Sequence, residues 1–263
     1  MRLFIDEALV QNAILGGTEH LRDVASTGDN VVFAVVGNNQ DRMDAVSVLS
    51  GGGSGHEPAH SGFVGAGLLR AAVCGNRFAS PSAAQTLAAF RRVVGRGGGL
   101  VVVKNYTGDR LSFGRAVERW NASLPQDGSV GRVQMIVVAD DCAVPRNKSI
   151  AGPRGLAGTL LVYKIAAEAA KRGLDLDHVA AIASAVNASI GTVGVAVRDN
   201  ETVEVGLGIH GEPGFEVRKI DSAQQLAKLL VDMIVEPSAE RPTISLPDSV
   251  RLVVLINNLG ATS

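Results

Sequence analysis

The chain has 263 residues and a formal net charge of −1, and hydrophobic residues make up 46% of it against 19% charged residues. This balance excludes a disordered chain, and the absence of a lysine or arginine block argues against a nucleic-acid partner. No apolar run approaches the ~20 residues of a membrane-spanning helix, so no membrane association is expected.

Strand-like and helix-like segments alternate along the first two thirds of the chain. Strands are predicted at Ala45–Ser50, Gly99–Asn105 and Val133–Asp141, the last ending in two carboxylates. Helices are predicted at Ser82–Val94, with Ser80 or Ser82 as N-cap, and at Leu111–Trp120 and Gly155–Arg172. Continuous runs of Val, Ile and Leu are typical of parallel strands that helices cover on both faces.

The order of predicted helices and strands changes after Gly173. A helix, two strands around the turn "RDNE", a second helix and a final buried strand are predicted over residues 175–190, 191–197, 201–208, 223–235 and Arg251–Asn258. We therefore expect an α/β protein of two α/β domains. Residues 1–174 form the first, with a mostly parallel sheet, and residues 175–263 form the second, with an α+β arrangement.

The cysteines and the first ten residues bear on location. Cys74 and Cys142 show no pairing pattern, which is typical of a reducing compartment. The first ten residues carry Asp6 and Glu7 and lack the basic-then-apolar order of a signal peptide. We expect a cytoplasmic protein.

The stretch Ser50–His60, "SGGGSGHEPAH", contains the pattern H-E-x-x-H of zinc proteases. That pattern binds zinc only when both histidines lie on one face of a continuous helix. Here His56 follows a glycine run, and Pro58 stands between the histidines and lacks a backbone donor. The sequence therefore predicts no metal site. His56 is the favoured functional histidine, and His60 is expected to be structural.

The same glycines are also not those of a phosphate-binding P-loop, because the Gly-Lys-Ser/Thr ending is missing. Four glycines in five positions exceed what a tight turn requires. Without side chains, the backbone N–H groups of such a loop are open to a small polar ligand. A plain strand-to-helix turn remains the alternative.

Two further loops carry candidate chemistry. "KNYTGD" (Lys104–Asp109) follows a buried strand and ends on a carboxylate that is able to accept a proton from a hydroxyl. "GLGIHGEPG" (Gly206–Gly214) surrounds His210 with glycines, and neutral imidazole serves as nucleophile or base. The alternatives are an ordinary turn with a solvated lysine and a histidine satisfied by its surroundings.

Seven blocks in order resemble the dihydroxyacetone kinase K subunit family: "LSGGGSGHEPAH", "FASPS", "VVVKNYTGD", "VVADDCAV", "RGLAGTLLVYKIAA", "GLGIHGEPG" and "INNLGAT". The resemblance covers nearly the whole chain. It implies a dihydroxyacetone (glycerone) kinase, a phosphotransferase with an alcohol group as acceptor. It also implies that a ring nitrogen of His210 holds the ketone covalently as a hemiaminal.

The resemblance further implies the roles of the loop residues. Gly53, His56, Lys104 and Asp109 are expected to contact the substrate, with Asp109 as general base and His56 assisting it. No cofactor or metal is expected in this chain. ATP or ADP with Mg is expected on a partner L subunit or domain, with a phosphoenolpyruvate-dependent subunit as a possible further partner. The family implies a homodimer.

Two departures from the family pattern leave alternatives open. The chain stops at Ser263, shortly after "NNLGAT", so the C-terminal part of the family fold is expected to be missing. The segment before Glu201 is shorter than in the family. Besides the kinase subunit, the sequence therefore allows a non-catalytic paralogue that senses dihydroxyacetone for a transcription regulator, or an inactive truncated form.

Overall fold

The computed structural model describes residues 24–26, 31–34, 44–145, 148, 150–199, 201–239, 242–246 and 249–257. The first ten residues and the end of the block "INNLGAT", which both carried sequence predictions, lie outside these ranges. The described residues form two compact units. The first contains residues up to Val138 and Thr159–Val186, and the second contains Ala139–Gly158 and the residues from Asn187 onward.

This division differs from the domain boundary near Leu174 that the sequence predicts. The helix Leu176–Asn187 lies almost entirely in the first unit, and the segment Ala139–Gly158 belongs to the second. The reason is that the chain enters the second unit twice, and an isolated β-bridge between Asp141 and Thr192 joins the two passages. A split into independently folding domains at residue 174 stays a prediction.

A six-stranded sheet forms the centre of the first unit, in the order β1-β2-β4-β3-β5-β6. Its strands are β1 Val24–Ser26, β2 Val31–Ala34, β3 Ser47–Ser54, β4 Ala71–Arg77, β5 Gly99–Lys104 and β6 Val133–Val138. The four strands β4, β3, β5 and β6 run parallel, whereas β1 and β2 are antiparallel additions. This arrangement confirms the α/β fold class and the mostly parallel first sheet.

Four helices belong to the first unit: α1 Ala83–Val93, α2 Thr107–Ala122, α3 Thr159–Lys171 and α4 Leu176–Asn187. Ser82, not Ser80, is the N-cap of α1, and it forms a reciprocal capping box with Gln85. The core holds the chain's single tryptophan, Trp120, which is 9% exposed. Its indole N–H donates to the Gly131 carbonyl at 3.1 Å, and its ring meets Phe90 edge-on at 5.7 Å.

The second unit contains a small antiparallel sheet and one helix. The strands are β7 Val195–Val197, β8 Thr202–Val205 and β9 Glu216–Lys219, and the helix is α5 Ala223–Val235. The β7–β8 pair confirms the predicted hairpin. A small apolar cluster that includes Val205 and Met233 forms its core. Among the described residues, no helix is long and apolar enough to cross a membrane.

The predicted strand Arg251–Asn258 is wrong for the part that the structure describes. Residues 251–257 have no regular secondary structure, and Val253 and Ile256 are 80% and 86% exposed. The apolar composition has the propensity of a strand, but a strand also needs a neighbour to hydrogen-bond, and no strand in the described ranges pairs with these residues.

Candidate functional site

The glycine run continues strand β3 instead of ending it. Sequence reasoning stops the strand at Ser50, yet Gly51, Gly52 and Gly53 pair with β4 up to the irregularity at Ser54. A Cβ on Gly51 would lie 2.3 Å from the Val73 carbonyl oxygen, and one on Gly53 would lie 2.7 Å from the Ala79 amide nitrogen. Close backbone packing therefore explains both of these glycines.

Gly52 is different, because nothing crowds the position of its missing side chain. The nearest atoms to a Cβ there would be His60 Nε2 at 3.8 Å and Asp109 Oδ2 at 3.9 Å. These are ordinary van der Waals distances, and both atoms are polar. The face of the strand at Gly52 thus opens toward a histidine and a carboxylate.

The segment "HEPAH" forms turns, not a helix. The Ala59 amide donates to the His56 carbonyl at 3.0 Å, and a short 3-10 helix follows at Ser61–Phe63. The half-buried His56 ring meets Phe78 edge-on at 5.1 Å. The i, i+4 zinc geometry is therefore absent, and no group of metal-binding side chains occurs within the described parts of the chain.

His60 is buried, with 5% of its surface exposed, and Ser50 sets the hydrogen position on its ring. Ser50 Oγ donates its only hydrogen to the Val102 carbonyl at 2.7 Å and lies 3.2 Å from His60 Nδ1. Since that hydrogen is already used, Nδ1 must be the donor to Ser50. In the neutral ring, Nε2 then carries the lone pair.

The buried imidazole of His60 predicts a pH-dependent stability. Burial, with the nearby charges of Lys104 and His56, holds the pKa of His60 well below its usual 6.5. The unfolded chain takes up a proton near pH 6.5, whereas the folded protein does so only at lower pH. The stabilisation is therefore complete above pH 6.5 and is lost as the pH falls below it, by at most about 1.4 kcal/mol per pH unit.

Urea unfolding at a series of pH values between about 7.5 and 5.5 measures this slope. His60→Gln removes the titrating group and is expected to flatten the curve relative to the unmodified chain. An identical pH dependence in both proteins would contradict the assignment.

Lys104 and Asp109 lie at one end of the sheet. Lys104 is the last residue of β5, and helix α2 begins at Thr107, earlier than the predicted Leu111. Asp109 therefore falls in the first helical turn, where the helix dipole stabilises a carboxylate. Both side chains are 7% exposed. The first unit thus brings Gly52, His60 and Asp109 together, with Lys104 and His56 close enough to affect the His60 charge.

His210 belongs to the second unit, on the loop before β9. Its backbone N–H donates to Glu212 Oε2 at 2.8 Å, and its Nδ1 lies 3.5 Å from Glu212 Oε1. Burial alone raises the pKa of Glu212. The pKa of Glu212 is nevertheless lowered overall. Hydrogen bonds from the backbone of His210 and of Glu212 itself, together with the charges of His210 and Arg154, outweigh the effect of burial. An ionised carboxylate therefore holds the histidine from the Nδ1 side.

Arg154 connects this loop to a buried carboxylate. Its Nε donates to Oδ2 of the fully buried Asp141 at 2.6 Å, and its Nη2 donates to the Gly206 carbonyl at 2.7 Å. Gly208 has no room for a side chain, because a Cβ would lie 2.1 Å from Glu212 Oε2 and 2.6 Å from Arg154 Nη1. These contacts hold the backbone of the His210 loop in position.

The family model of the Dak1 domain matches residues 18–263. The chain belongs to the Dak1 domain family. This assignment confirms the resemblance on which the sequence predictions of function rest.

The Dak1 relatives include kinases and a regulator. A dihydroxyacetone kinase of Citrobacter freundii is 44% identical, over 83% of this chain and 39% of its own length. The PTS-dependent dihydroxyacetone kinase 1, dihydroxyacetone-binding subunit DhaK, of Listeria innocua is 40% identical, over 87% of this chain and 70% of its own. The chain spans less than two fifths of the length of the first curated relatives it matches.

Solved structures of Dak1 relatives agree with the fold. The dihydroxyacetone kinase of C. freundii in complex with AMP-PNP and Mg²⁺ superposes with a TM-score of 0.75 at 37% identity, covering 88% of this chain and 45% of that one. A dihydroxyacetone kinase operon co-activator superposes with a TM-score of 0.74 at 31% identity, covering 84% and 70%.

Sequence reasoning missed part of this arrangement. It did not single out Gly52, Arg154 or Asp141, and it expected His60 to be structural without showing its bond to Ser50. The motif "VVADD" indicated two carboxylates at a strand end, but not that Asp141 is fully buried and pairs with Arg154.

Proposed function

We propose that this Dak1 chain is the dihydroxyacetone-binding part of a dihydroxyacetone kinase. The observation that carries the proposal is His210 on its glycine loop, with Glu212 3.5 Å from Nδ1. A carboxylate on that side favours a hydrogen on Nδ1 and the lone pair on the other ring nitrogen, which is the proposed nucleophile. The names of the Citrobacter and Listeria relatives supply the substrate.

In the proposed step, a lone pair of the His210 ring forms a bond to the ketone carbon. The carbonyl oxygen becomes a hydroxyl group by taking up a proton, and the ring gives up the proton it carried on the other nitrogen. The product is a neutral hemiaminal. Glycerol has no carbonyl group and is not held in this way.

The first unit supplies the remaining roles in this proposal. Asp109 accepts the proton of the hydroxyl that attacks the phosphoryl group, and His56 assists it. Lys104 and the backbone at Gly53 hold hydroxyl groups. Because the space beside Gly53 Cα is occupied by Phe78 and Ala79, its contact with substrate is through the backbone N–H or carbonyl.

The phosphoryl donor belongs to another polypeptide or domain in this proposal. This chain lacks the Lys-Ser/Thr ending of a nucleotide-binding loop. An L subunit or L-like domain would carry ATP or ADP with Mg, as the AMP-PNP and Mg²⁺ complex of a relative suggests. The PTS-dependent relative points to a phosphoenolpyruvate-dependent subunit instead. A cytoplasmic homodimer completes the proposal, in keeping with two buried thiols.

A crystal soaked with dihydroxyacetone tests the covalent step. We expect continuous density from the His210 ring to the ketone carbon, and discrete, unbound ligand or none in His210→Asn. Absence of that density in the unmodified protein would remove the covalent role.

A second candidate function is ketone sensing without catalysis, which the likeness to the operon co-activator favours. A sensor keeps the binding histidine but has no need of a general base. Turnover with an L subunit and a donor therefore separates the two candidates, since a sensor binds the ketone and transfers no phosphate.

A further inference from the structure

We propose that Glu204 is a positioning residue for His210, because its carboxylate holds the end of the His210 loop through the backbone N–H of Gly214. The inference deepens the proposed function, on which it rests for the role of His210. Glu204 lies on strand β8, outside the glycine motif that carries the histidine.

The His210 loop, Gly206–Gly214, has little stiffness of its own. Four of its nine residues are glycine, and Gly206 and Gly211 adopt positive φ angles of 86° and 77°. Glycine has many accessible backbone conformations, so contacts from outside the loop must fix the place of the histidine. This matters for a nucleophile, because a displacement of about 1 Å lowers a rate by about 100-fold.

Strand β8 directs the Glu204 side chain away from the core of the second unit. Val203 and Val205 belong to the apolar cluster, so the residue between them lies on the opposite face of the sheet. Its neighbours across the sheet are Ala196 on β7 and Val217 on β9, whose side chains form no hydrogen bonds. The Glu204 side chain is only 12% exposed, and a buried carboxylate in this place requires donors from elsewhere.

Both carboxylate oxygens of Glu204 have such a donor. Oε1 accepts from the Gly214 N–H at 2.6 Å, and Oε2 accepts from Arg198 Nε at 2.8 Å. The Gly214 hydrogen bond first, and then Arg198, lower the pKa of Glu204 against the opposing effect of burial. The Gly214 N–H therefore donates to an ionised acceptor, and such a hydrogen bond is stronger than one between neutral groups.

The last glycine of the loop fits closely against this carboxylate. A Cβ on Gly214 would lie 2.4 Å from Glu204 Cγ and 2.7 Å from the Val205 carbonyl oxygen. A larger residue there would displace Glu204 from the backbone N–H. Since Arg154 holds the first residue of the loop, the two contacts fix both ends of the segment that carries His210.

Hydrogen exchange in the ligand-free protein tests the contact by itself. Glu204→Met keeps the length of the side chain but has no carboxylate, and we expect the Gly214 amide to exchange at least about tenfold faster than in the native protein. The matched control is Glu201→Met, the same change at an exposed carboxylate that pairs with Lys219 at 2.9 Å, and it should leave this rate unchanged.

Glu204→Gln keeps the test decisive if the methionine variant fails to fold. Its amide oxygen still accepts from Gly214 but carries no charge, so we expect exchange that is faster than in the native protein and slower than in Glu204→Met. Native exchange rates at Gly214 in the folded variants would overturn the inference.

Binding of dihydroxyacetone tests the positioning of His210. We expect Glu204→Met to weaken binding at least about tenfold in calorimetry, but to have no further effect when it is combined with His210→Asn and binding is followed by NMR titration. An effect on the stability of the unit alone would lower binding by the same factor in both backgrounds, and that result would overturn the positioning role.

The outcomes separate this inference from the proposed function. If native protein binds dihydroxyacetone and Glu204→Met binds it equally well, Glu204 has no positioning role and the proposed function stands. If native protein binds no ketone, the proposed function fails, and hydrogen exchange at Gly214 still decides whether Glu204 holds the loop.

Discussion

Replacing Asp109 with asparagine is expected to reduce phosphoryl transfer about 10²–10⁴-fold, the range found for loss of a general base. Asparagine keeps the shape of the side chain but has no basic oxygen to take the hydroxyl proton. Because Asp109 is 7% exposed and lies in the first turn of α2, bulk water is poorly placed to replace it. The assay combines the full chain with an L subunit and a phosphoryl donor.

The matched control is Asp127→Asn, which changes an exposed carboxylate of the first unit whose hydrogen bonds come from Ser129 and from its own backbone, within one turn. We expect this variant to keep full turnover. Calorimetry with dihydroxyacetone should find a smaller loss of binding than of turnover in Asp109→Asn. Equal turnover in the Asp109 and Asp127 variants would remove Asp109 from the role of base.

Arg154→Ala is expected to lower the free energy of unfolding by about 3–5 kcal/mol. The substitution leaves the carboxylate of Asp141, which is fully buried, without its guanidinium partner at 2.6 Å. It also removes the donor to the Gly206 carbonyl, so the loop that carries His210 loses a hydrogen bond that holds its backbone in position. Chemical denaturation measures the stability, and calorimetry with dihydroxyacetone measures the effect on the loop.

Lys219→Ala is the control for this experiment, because the Lys219–Glu201 ion pair has both side chains 67% exposed. Exposed pairs contribute little, so we expect almost no change in stability. Arg154→Lys keeps the charge but cannot bond Asp141 and Gly206 at once. It should recover part of the stability and less of the ketone binding. Full recovery of binding by lysine would argue against a positioning role for the guanidinium.

The sequence indicated the fold class well because the parallel strands are continuous apolar runs. The strand predictions failed where pairing with neighbouring strands, and not local composition, decides whether a strand forms. Strand β4, Ala71–Arg77, contains a single β-branched residue, Val73, and so has little strand propensity of its own, but it pairs with both β3 and β2. Residues 251–257 are the reverse case: their strand propensity is high, but none of the strands that the structure describes pairs with them.

The candidate site was predictable where a motif sits at the end of a strand. Lys104 and Asp109 follow β5 closely enough for their position at the sheet end to be read from the sequence. The hydrogen position on the buried His60 ring was not predictable, since it depends on how the hydroxyl of Ser50 is bonded, which only three-dimensional packing reveals. Arg154 is far from His210 in sequence, and no local pattern connects them.

The single tryptophan has a practical consequence for all of these measurements. Trp120 is packed against Phe90 in the core of the first unit, so intrinsic tryptophan fluorescence reports the melting of that unit alone. Destabilisation by Arg154→Ala begins in the second unit, where this fluorophore is absent. Circular dichroism, which detects helices of both units, is expected to register that transition first, and a gap between the two curves would reveal stepwise unfolding.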